Sequence, residues 1–383
     1  MRPLKLAGCA ALFIALTAAA DPSAADYASD ARALGPMIAA DYAYLDHLPG
    51  GVVPTSAALD AERDAVHDKD SLLHYAEDML TALADHHAST GKSFKDDWAL
   101  VPSYSDLWIV RVGGAYRIDA VRTASPAAKA GIRIGDRLIA IDGMPIDQAV
   151  AAFWSRLGLA PVGERMAYAA RIIAAGRRDR PRGLTIDGPA GRRTVTLPNL
   201  YADQPDRPPV TVRGTTISIN NALGDQGTIA AFDQAMATID PSAPMTIDLT
   251  DTPSGGNTSV ARAMMGWFVR KAMPYQRHNQ PAEERETGIA RQWVEEVLPR
   301  AGKYHSGRLE VRVGRWTGSM GEGLAAGFAA IGAHVCGTRM AGLKGAVYDF
   351  DLPKTGLRVK FPAERLFTVA GQPREQIVPL PCR

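Results

Sequence analysis

Trp316-Thr317-Gly318-Ser319-Met320-Gly321-Glu322-Gly323 is the stretch on which the fold turns. A strand, Leu309 to Val313, runs into it, and a Gly/Ala-rich helix, Gly321 to Ile331, runs out. A serine at such a junction is exposed and sits beside the unpaired N–H groups of the first helical turn. Those groups and the helix dipole favour negative charge developing there. Ser319 therefore reads either as a helix cap or as a nucleophile. Thr317 stands where a Gly-x-Ser-x-Gly elbow needs its first glycine, which disfavours an α/β-hydrolase.

Upstream lies Ile247-Asp248-Leu249-Thr250-Asp251-Thr252-Pro253-Ser254-Gly255-Gly256-Asn257. A buried strand ends there in paired glycines, which let backbone N–H groups approach a ligand closely. The alternatives are an ordinary strand–turn–helix connection and a phosphate loop; no Gly-Lys-Ser/Thr follows, which disfavours a nucleotide site. Strands at Thr215 to Ile219, Met245 to Leu249, Leu309 to Val313 and Ala333 to Gly337 alternate with helices at Gly227 to Ile239, Val260 to Val269 and Gly321 to Ile331. That rhythm predicts an α/β core with right-handed crossovers. Residues 270–308 are charged and irregular and read as a surface excursion, and Pro-rich 202–209 reads as a linker.

Further upstream the pieces are shorter. Leu107 to Val110 and Tyr116 to Ile118 read as strands, and Ser125-Pro126 opens a short helix that Gly131 ends. Leu138 to Ile141 is a strand with a tight turn at Asp142-Gly143, and a closing hairpin joins Leu184 to Ile186 with Thr194 to Leu197. This order resembles a PDZ domain of the bacterial, protease-associated type over residues 106–199. The resemblance implies binding of a peptide C-terminus by strand addition, with Gly113-Gly114 before Tyr116 as the candidate carboxylate loop. Simple packing against the following domain is the alternative. Residues 27–90 are helical, with Leu72, Leu73, Ala76, Met79, Leu80 and Leu83 on one face and a stop at Gly91.

The pieces taken together, with Gly337-Thr338-Arg339-Met340-Ala341-Gly342 and Gly371-Gln372-Pro373-Arg374-Glu375 following, resemble the C-terminal-processing and tricorn-type serine peptidases. The resemblance implies a crotonase-like α/β peptidase core over 210–383, a helical segment over 21–105, a β-rich PDZ domain over 106–199 and a linker over 200–209. It makes Ser319 the nucleophile, and Gly255 or Gly256 with Met320 the oxyanion donors. The general base divides the family. In the processing branch a lysine follows the serine by about 25 residues in a Gly-Lys-Gly turn; Lys344 lies 25 residues after Ser319, but Leu343 separates it from Gly342, and a one-residue slip turns a side chain to the opposite face. In the tricorn branch the base is a histidine in the N-terminal part, supported by a hydroxyl and a late glutamate. Asp85-His86-His87-Ala88 resembles that motif, with His87 as base and Glu375 in the late acidic position. Histidine titrates near neutrality, whereas a lysine base must first be depressed by burial, so His87 is the favoured base and Lys344 the alternative. Two departures stand out: His86 replaces the hydroxyl, and Thr250 replaces the arginine of an Asp-Leu-Arg motif. Histidines at a helix end also suit the negative dipole, and adjacent histidines diverge too far for two-point metal chelation.

The ends and composition fit this picture. Arg2, Lys5, apolar Leu6 to Leu16 and Ala18-Ala19-Ala20 read as a signal peptide over 1–20, with periplasmic or secreted export; a lipid anchor at Cys9 is disfavoured because few apolar residues precede it. The chain has 383 residues, 46% apolar, with 43 basic and 41 acidic residues; cleavage would remove Arg2 and Lys5 and leave 41 of each sign. That balance gives no support to nucleic-acid binding, and no long apolar run follows the signal. Cys336 and Cys382 can pair in an oxidising compartment or remain separate thiols. No motif calls for a cofactor or metal. The expected partners are protein or peptide substrates, and a catalytically silent peptide-binding scaffold is the competing reading.

Overall fold

The computed structural model describes residues 21–201 and 207–382, so the signal reading and Cys9 lie outside the described residues. The N-terminal arm holds α1 (Ala24–Asp41), α2 (Ala57–Ala65) and α3 (Lys69–Ala82). Ser23 with Asp26, and Asp68 with Ser71, form reciprocal caps at the starts of α1 and α3. The apolar stripe of α3 is buried as its spacing predicts, but the helix stops at Ala82, before Gly91. Ala84 takes a left-handed backbone (φ 51°) and turns the chain into Asp85-His86-His87. Ser89 and Thr90 then pair with Lys360 and Val359, so the His87 segment is anchored at both ends.

The second unit is an antiparallel sheet in sequence order: β1 (Leu107–Val112), β2 (Ala115–Val121), β3 (Arg137–Ile141), β4 (Arg182–Gly188) and β5 (Gly191–Leu197). Between β3 and β4 lie α4 (Ile146–Ser155) and α5 (Glu164–Ala175). The arm and this sheet share one apolar core, in which Leu34, Ile38, Leu107, Ile109 and Trp154 are all buried. Asp106 and Arg182 form a buried ion pair at 2.6 Å within it.

The third unit contains β6 (Val210–Arg213), β7 (Thr216–Ile219), α6 (Gly227–Ala237), β8 (Met245–Asp248) and α7 (Thr258–Met265). It continues with β9 (Met273–Asn279), α8 (Pro281–Thr287), β10 (Gln292–Val297), β11 (Leu309–Val313), α9 (Met320–Ala330), β12 (His334–Gly337), β13 (Ala346–Asp351) and β14 (Arg358–Phe367). One sheet runs β12-β11-β8-β7-β6, with parallel pairing except between β6 and β7. A second sheet joins β14 to β9, β10 and β13.

Residues 270–308 are therefore not an irregular excursion. β9 is a buried strand whose Gln276, His278 and Asn279 are polar, which hides the alternation that normally marks one. His278 is satisfied inside, with Nδ1 2.9 Å from Glu364 Oε2 and the ring stacked on Trp293. Cys336 and Cys382 form a disulfide. Among the described residues no helix is long and apolar enough to cross a membrane.

Candidate active site

The two sequence stretches read as site signals lie side by side for a local reason. Asp251-Thr252 and Trp316-Thr317 pair as a short parallel ladder, and Gly318 N–H donates to Thr252 O at 3.0 Å. Thr252 and Thr317 are fully buried, and their hydroxyls donate to Ile219 O and Leu249 O, both at 2.7 Å. Thr317 thus occupies the elbow's glycine position because its hydroxyl ties the serine loop to the end of β8. Gly318 permits the approach, since a Cβ there would sit 2.5 Å from Pro253 O.

Ser319 follows in a strained conformation, φ 53° and ψ −119°, immediately before α9. A side chain holds it there. Glu322 is fully buried, and its Oε2 accepts from Ser319 N–H at 3.0 Å and Leu343 N–H at 3.1 Å, while Oε1 accepts from Gly342 N–H at 2.9 Å. Burial pushes the Glu322 carboxyl up to about 7, against the nearby Arg374 charge and these three N–H donors.

His87 Nε2 lies 3.0 Å from Ser319 Oγ, and its Nδ1 lies 2.6 Å from the main-chain oxygen of Lys344. A carbonyl only accepts, so Nδ1 carries the proton and the Nε2 lone pair faces the serine hydroxyl. The backbone is fixed too: His87 N–H donates to Asp85 Oδ1 at 2.9 Å, and Tyr42 OH donates to Asp85 Oδ2 at 2.8 Å. Burial lowers the His87 ring to about 4; the Lys344 carbonyl opposes the shift and the Arg374 charge adds to it.

The other sequence candidates fall differently. The Lys344 ammonium sits over the Tyr44 ring, 5.8 Å from its centre, so this residue meets the site through its carbonyl and not as a base. Glu375 does not bond His87: the single Nδ1 proton goes to Lys344 O, and Glu375 Oε2 has no partner among the described residues. His86 turns away from Ser319. It stacks on Tyr168, and its Nε2 accepts from Arg171 Nε at 2.8 Å. Thr250, in the arginine's place, bonds back to Asp248 at 2.6 Å.

Gly255, Gly256 and Met320 line one cleft of about 790 Å³ with His87 and Ser319. Their N–H groups have no acceptor among the described residues. Gly255 has φ 143°, and a Cβ on it would lie 2.7 Å from that of Leu223. The polar β9 residues Gln276 and His278, with Trp293 and Glu295 of β10, form another wall.

Gly113 and Gly114 need correction. They form the exposed turn of the β1–β2 hairpin and do not line this cleft, while Tyr116 is 2% exposed and packs in the core. A carboxylate loop needs convergent N–H groups in a groove, which an outward hairpin turn lacks. The sheet's free edge on this side is β1, where Arg171 Nη1 already donates to Ile109 O at 3.2 Å.

Two contributors escaped the sequence: the Lys344 carbonyl and Arg374, whose Nη2 donates to Leu343 O at 3.1 Å and Gly345 O at 2.8 Å. A main-chain acceptor leaves no residue signature, and an arginine near a chain end reads as surface by default. Among the described residues, Glu310, Cys336 and Cys382 are grouped closely enough to hold a metal, but the two sulfurs are bonded to each other and offer no thiolate.

Residues 117–179 match the PDZ domain family. No curated protein matches the chain by sequence. Solved structures do match it along most of its length. Mature CPAF matches with a TM-score of 0.57 at 14% identity, covering 94% of this chain and 92% of that one. The photosystem II D1 C-terminal processing protease matches with a TM-score of 0.56 at 16% identity, covering 92% of each chain. Mature CPAF complexed with lactacystin matches with a TM-score of 0.55 at 14% identity, covering 94% and 93%. The chain is thus a PDZ-containing protein that shares its fold with a C-terminal processing protease.

Proposed function

We propose that the chain is an exported serine endopeptidase that hydrolyses peptide bonds of protein or peptide substrates. The observation that carries this reading is the 3.0 Å approach of His87 Nε2 to Ser319 Oγ, with the Nδ1 proton held by Lys344 O. Ser319 Oγ attacks the substrate carbonyl as its proton passes to Nε2, and the imidazolium then protonates the leaving amine. Water repeats the exchange to release the acyl group. The N–H groups of Met320 and of Gly255 or Gly256 receive the oxyanion, each such donor being worth about 10²–10³ in rate. Among the described residues no carboxylate hydrogen-bonds the ring. The charge formed on it is met by a neutral carbonyl and by Asp85 behind the backbone, so the base is weak but fully unprotonated at neutral pH.

Export rests on residues 1–20, and presentation of a substrate tail rests on the PDZ module. The test is a fluorophosphonate probe with peptide mapping, alongside cleavage of an unfolded protein. Adduct at Ser319 and cleavage lost in Ser319→Ala are expected. No adduct and no cleavage would leave the peptide-binding scaffold as the better reading.

A further inference from the structure

The Ser319–His87 reading leaves one buried charge without a task. Arg374 is 2% exposed and lies in a short turn (Arg374–Gln376) close to the chain's end. Among the described residues, the hydrogen-bond partners of its guanidinium are main-chain carbonyls, Leu343 O at 3.1 Å and Gly345 O at 2.8 Å, and its Nε has none. Burying a cation is costly, and although the Glu322 carboxyl is close enough to feel its charge, its hydrogen bonds go to neutral carbonyls, so its location asks for a reason.

The reason lies in the residue between the two carbonyls. The carbonyls of Leu343 and Gly345 both accept from Arg374, and that of Lys344, between them in the chain, meets His87 Nδ1 at 2.6 Å. The other side of the loop is held by Glu322, which takes the N–H groups of Gly342 and Leu343. The loop is thus clamped by a carboxyl group on its donors and a guanidinium on its acceptors, and the carboxyl also holds Ser319 N–H.

We propose that Arg374 is the positioning residue for the proton-accepting histidine: by fixing the carbonyls on either side of Lys344, it sets the acceptor that orients the His87 ring toward Ser319. Arg374 acts through the Lys344 carbonyl and not on the reacting atoms. The proposal rests on the reading of His87 as base. The late acidic position singled out in the sequence is Glu375, yet the side chain that reaches the site's framework is its neighbour.

The test reads the ring directly. A histidine N–H bound this closely to a carbonyl gives a far-downfield exchangeable proton resonance, assigned here by its loss in His87→Ala. Arg374→Met removes every donor; Arg374→Lys keeps the charge, but its stem is one bond shorter than the path to Nη2, the nitrogen that donates both bonds. In both variants the resonance is expected to move upfield or vanish by exchange, with the methyl spectrum of the core unchanged. The value of kcat is expected to fall by about 10²-fold in Arg374→Met and by less in Arg374→Lys, with KM nearly constant, because orientation and not substrate binding is lost. If Arg374→Met does not fold, Arg374→Lys carries the test. A folded variant that keeps both the resonance and kcat overturns the proposal. The two readings fail separately: an Arg374-sensitive resonance in a protein that never labels at Ser319 sinks the peptidase but keeps the clamp. A labelled enzyme with an Arg374-insensitive resonance does the reverse.

Discussion

The main-chain oxygen of Lys344 and Nδ1 of His87 lie 2.6 Å apart, so the residue that could have been a rival base meets the histidine through its backbone. Its ammonium is directed to the Tyr44 ring instead. A backbone acceptor survives any side-chain change. Lys344→Ala is therefore expected to leave kcat/KM nearly unchanged, while His87→Ala lowers it by about 10²–10⁴-fold, the usual worth of a general base. Hydrolysis of an unfolded protein by the two purified variants checks this. Loss in Lys344→Ala with retention in His87→Ala would reinstate the lysine dyad.

The same ring sets the pH profile. Burial lowers His87 to about 4, with the Lys344 carbonyl and Asp85 opposing and Arg374 adding to the shift. The ionisable neighbours around it are Asp85 and His86 on its own segment, Lys344, Glu322 from α9, and Arg374 with Glu375 from the C-terminal turn. As the proposed base the ring works in its neutral form, so kcat/KM is expected to rise along an acid limb centred near pH 4 and then hold level through neutrality. An unperturbed histidine would place that limb near 6.5. The Asp85 charge favours the imidazolium, so Asp85→Asn moves the limb further into acid. The sign for stability follows: the unfolded ring binds its proton first, so this group's contribution is present above about pH 6.5 and is lost as pH falls toward 4. A limb at 6.5 in the wild type contradicts the buried, neutral ring.

How much of this was legible in the sequence depends on which atoms do the work. Ser319, the Gly255-Gly256 turn and the buried stripe of α3 are visible because side-chain type and spacing make them. The pairing of Asp251-Thr252 with Trp316-Thr317 is invisible, because two-residue ladders have no periodicity to read. β9 does not read as a strand because Gln276 and His278 are buried and polar, and His278 is satisfied by Glu364, a partner far away in sequence. Glu375 fitted a motif, but where the ring's proton goes is decided by which acceptor the fold brings within reach, and a peptide carbonyl did so first. Gly113-Gly114 carried a loop signal that holds equally for any tight hairpin turn.

Glu322 joins stability to the placement of Ser319. Its two oxygens serve three N–H donors, and Glu322→Gln replaces one oxygen by an NH₂ that must face at least one of them. A buried donor left facing a donor costs about 1–3 kcal/mol, and the loss falls where Ser319 is held. Glu322→Gln is expected to lower the unfolding free energy by that amount and to slow fluorophosphonate labelling of Ser319. The pH dependence gives a second check. With the carboxyl raised to about 7, the folded state keeps its proton longer than the unfolded one, so this group reduces stability as pH rises from about 4.5 to 7. That component should vanish in the glutamine variant. Urea unfolding at pH 5 and pH 8 measures both, and an unchanged midpoint with unchanged labelling would remove Glu322 from the framework.

The Cys336–Cys382 disulfide ties the tail that carries Arg374 back onto the core. Cys336 lies in β12, and Leu380 lies alongside it, its carbonyl accepting from Gly337 N–H at 2.8 Å. The bridge closes a separation of 46 residues, which by loop-closure entropy is worth about 4 kcal/mol against the unfolded chain. Within that loop lie the His87-bearing carbonyl of Lys344 and its Arg374 clamp. Reduction, or the double change Cys336→Ser with Cys382→Ser, is therefore expected to lower stability by up to that amount while the folded fraction still labels at Ser319, because the hydrogen bonds of Arg374 do not depend on the bridge. Calorimetry with and without reductant, with probe labelling below the transition, separates the two effects. Two free thiols in the native, unreduced protein would show that the tail is held by β12 pairing alone.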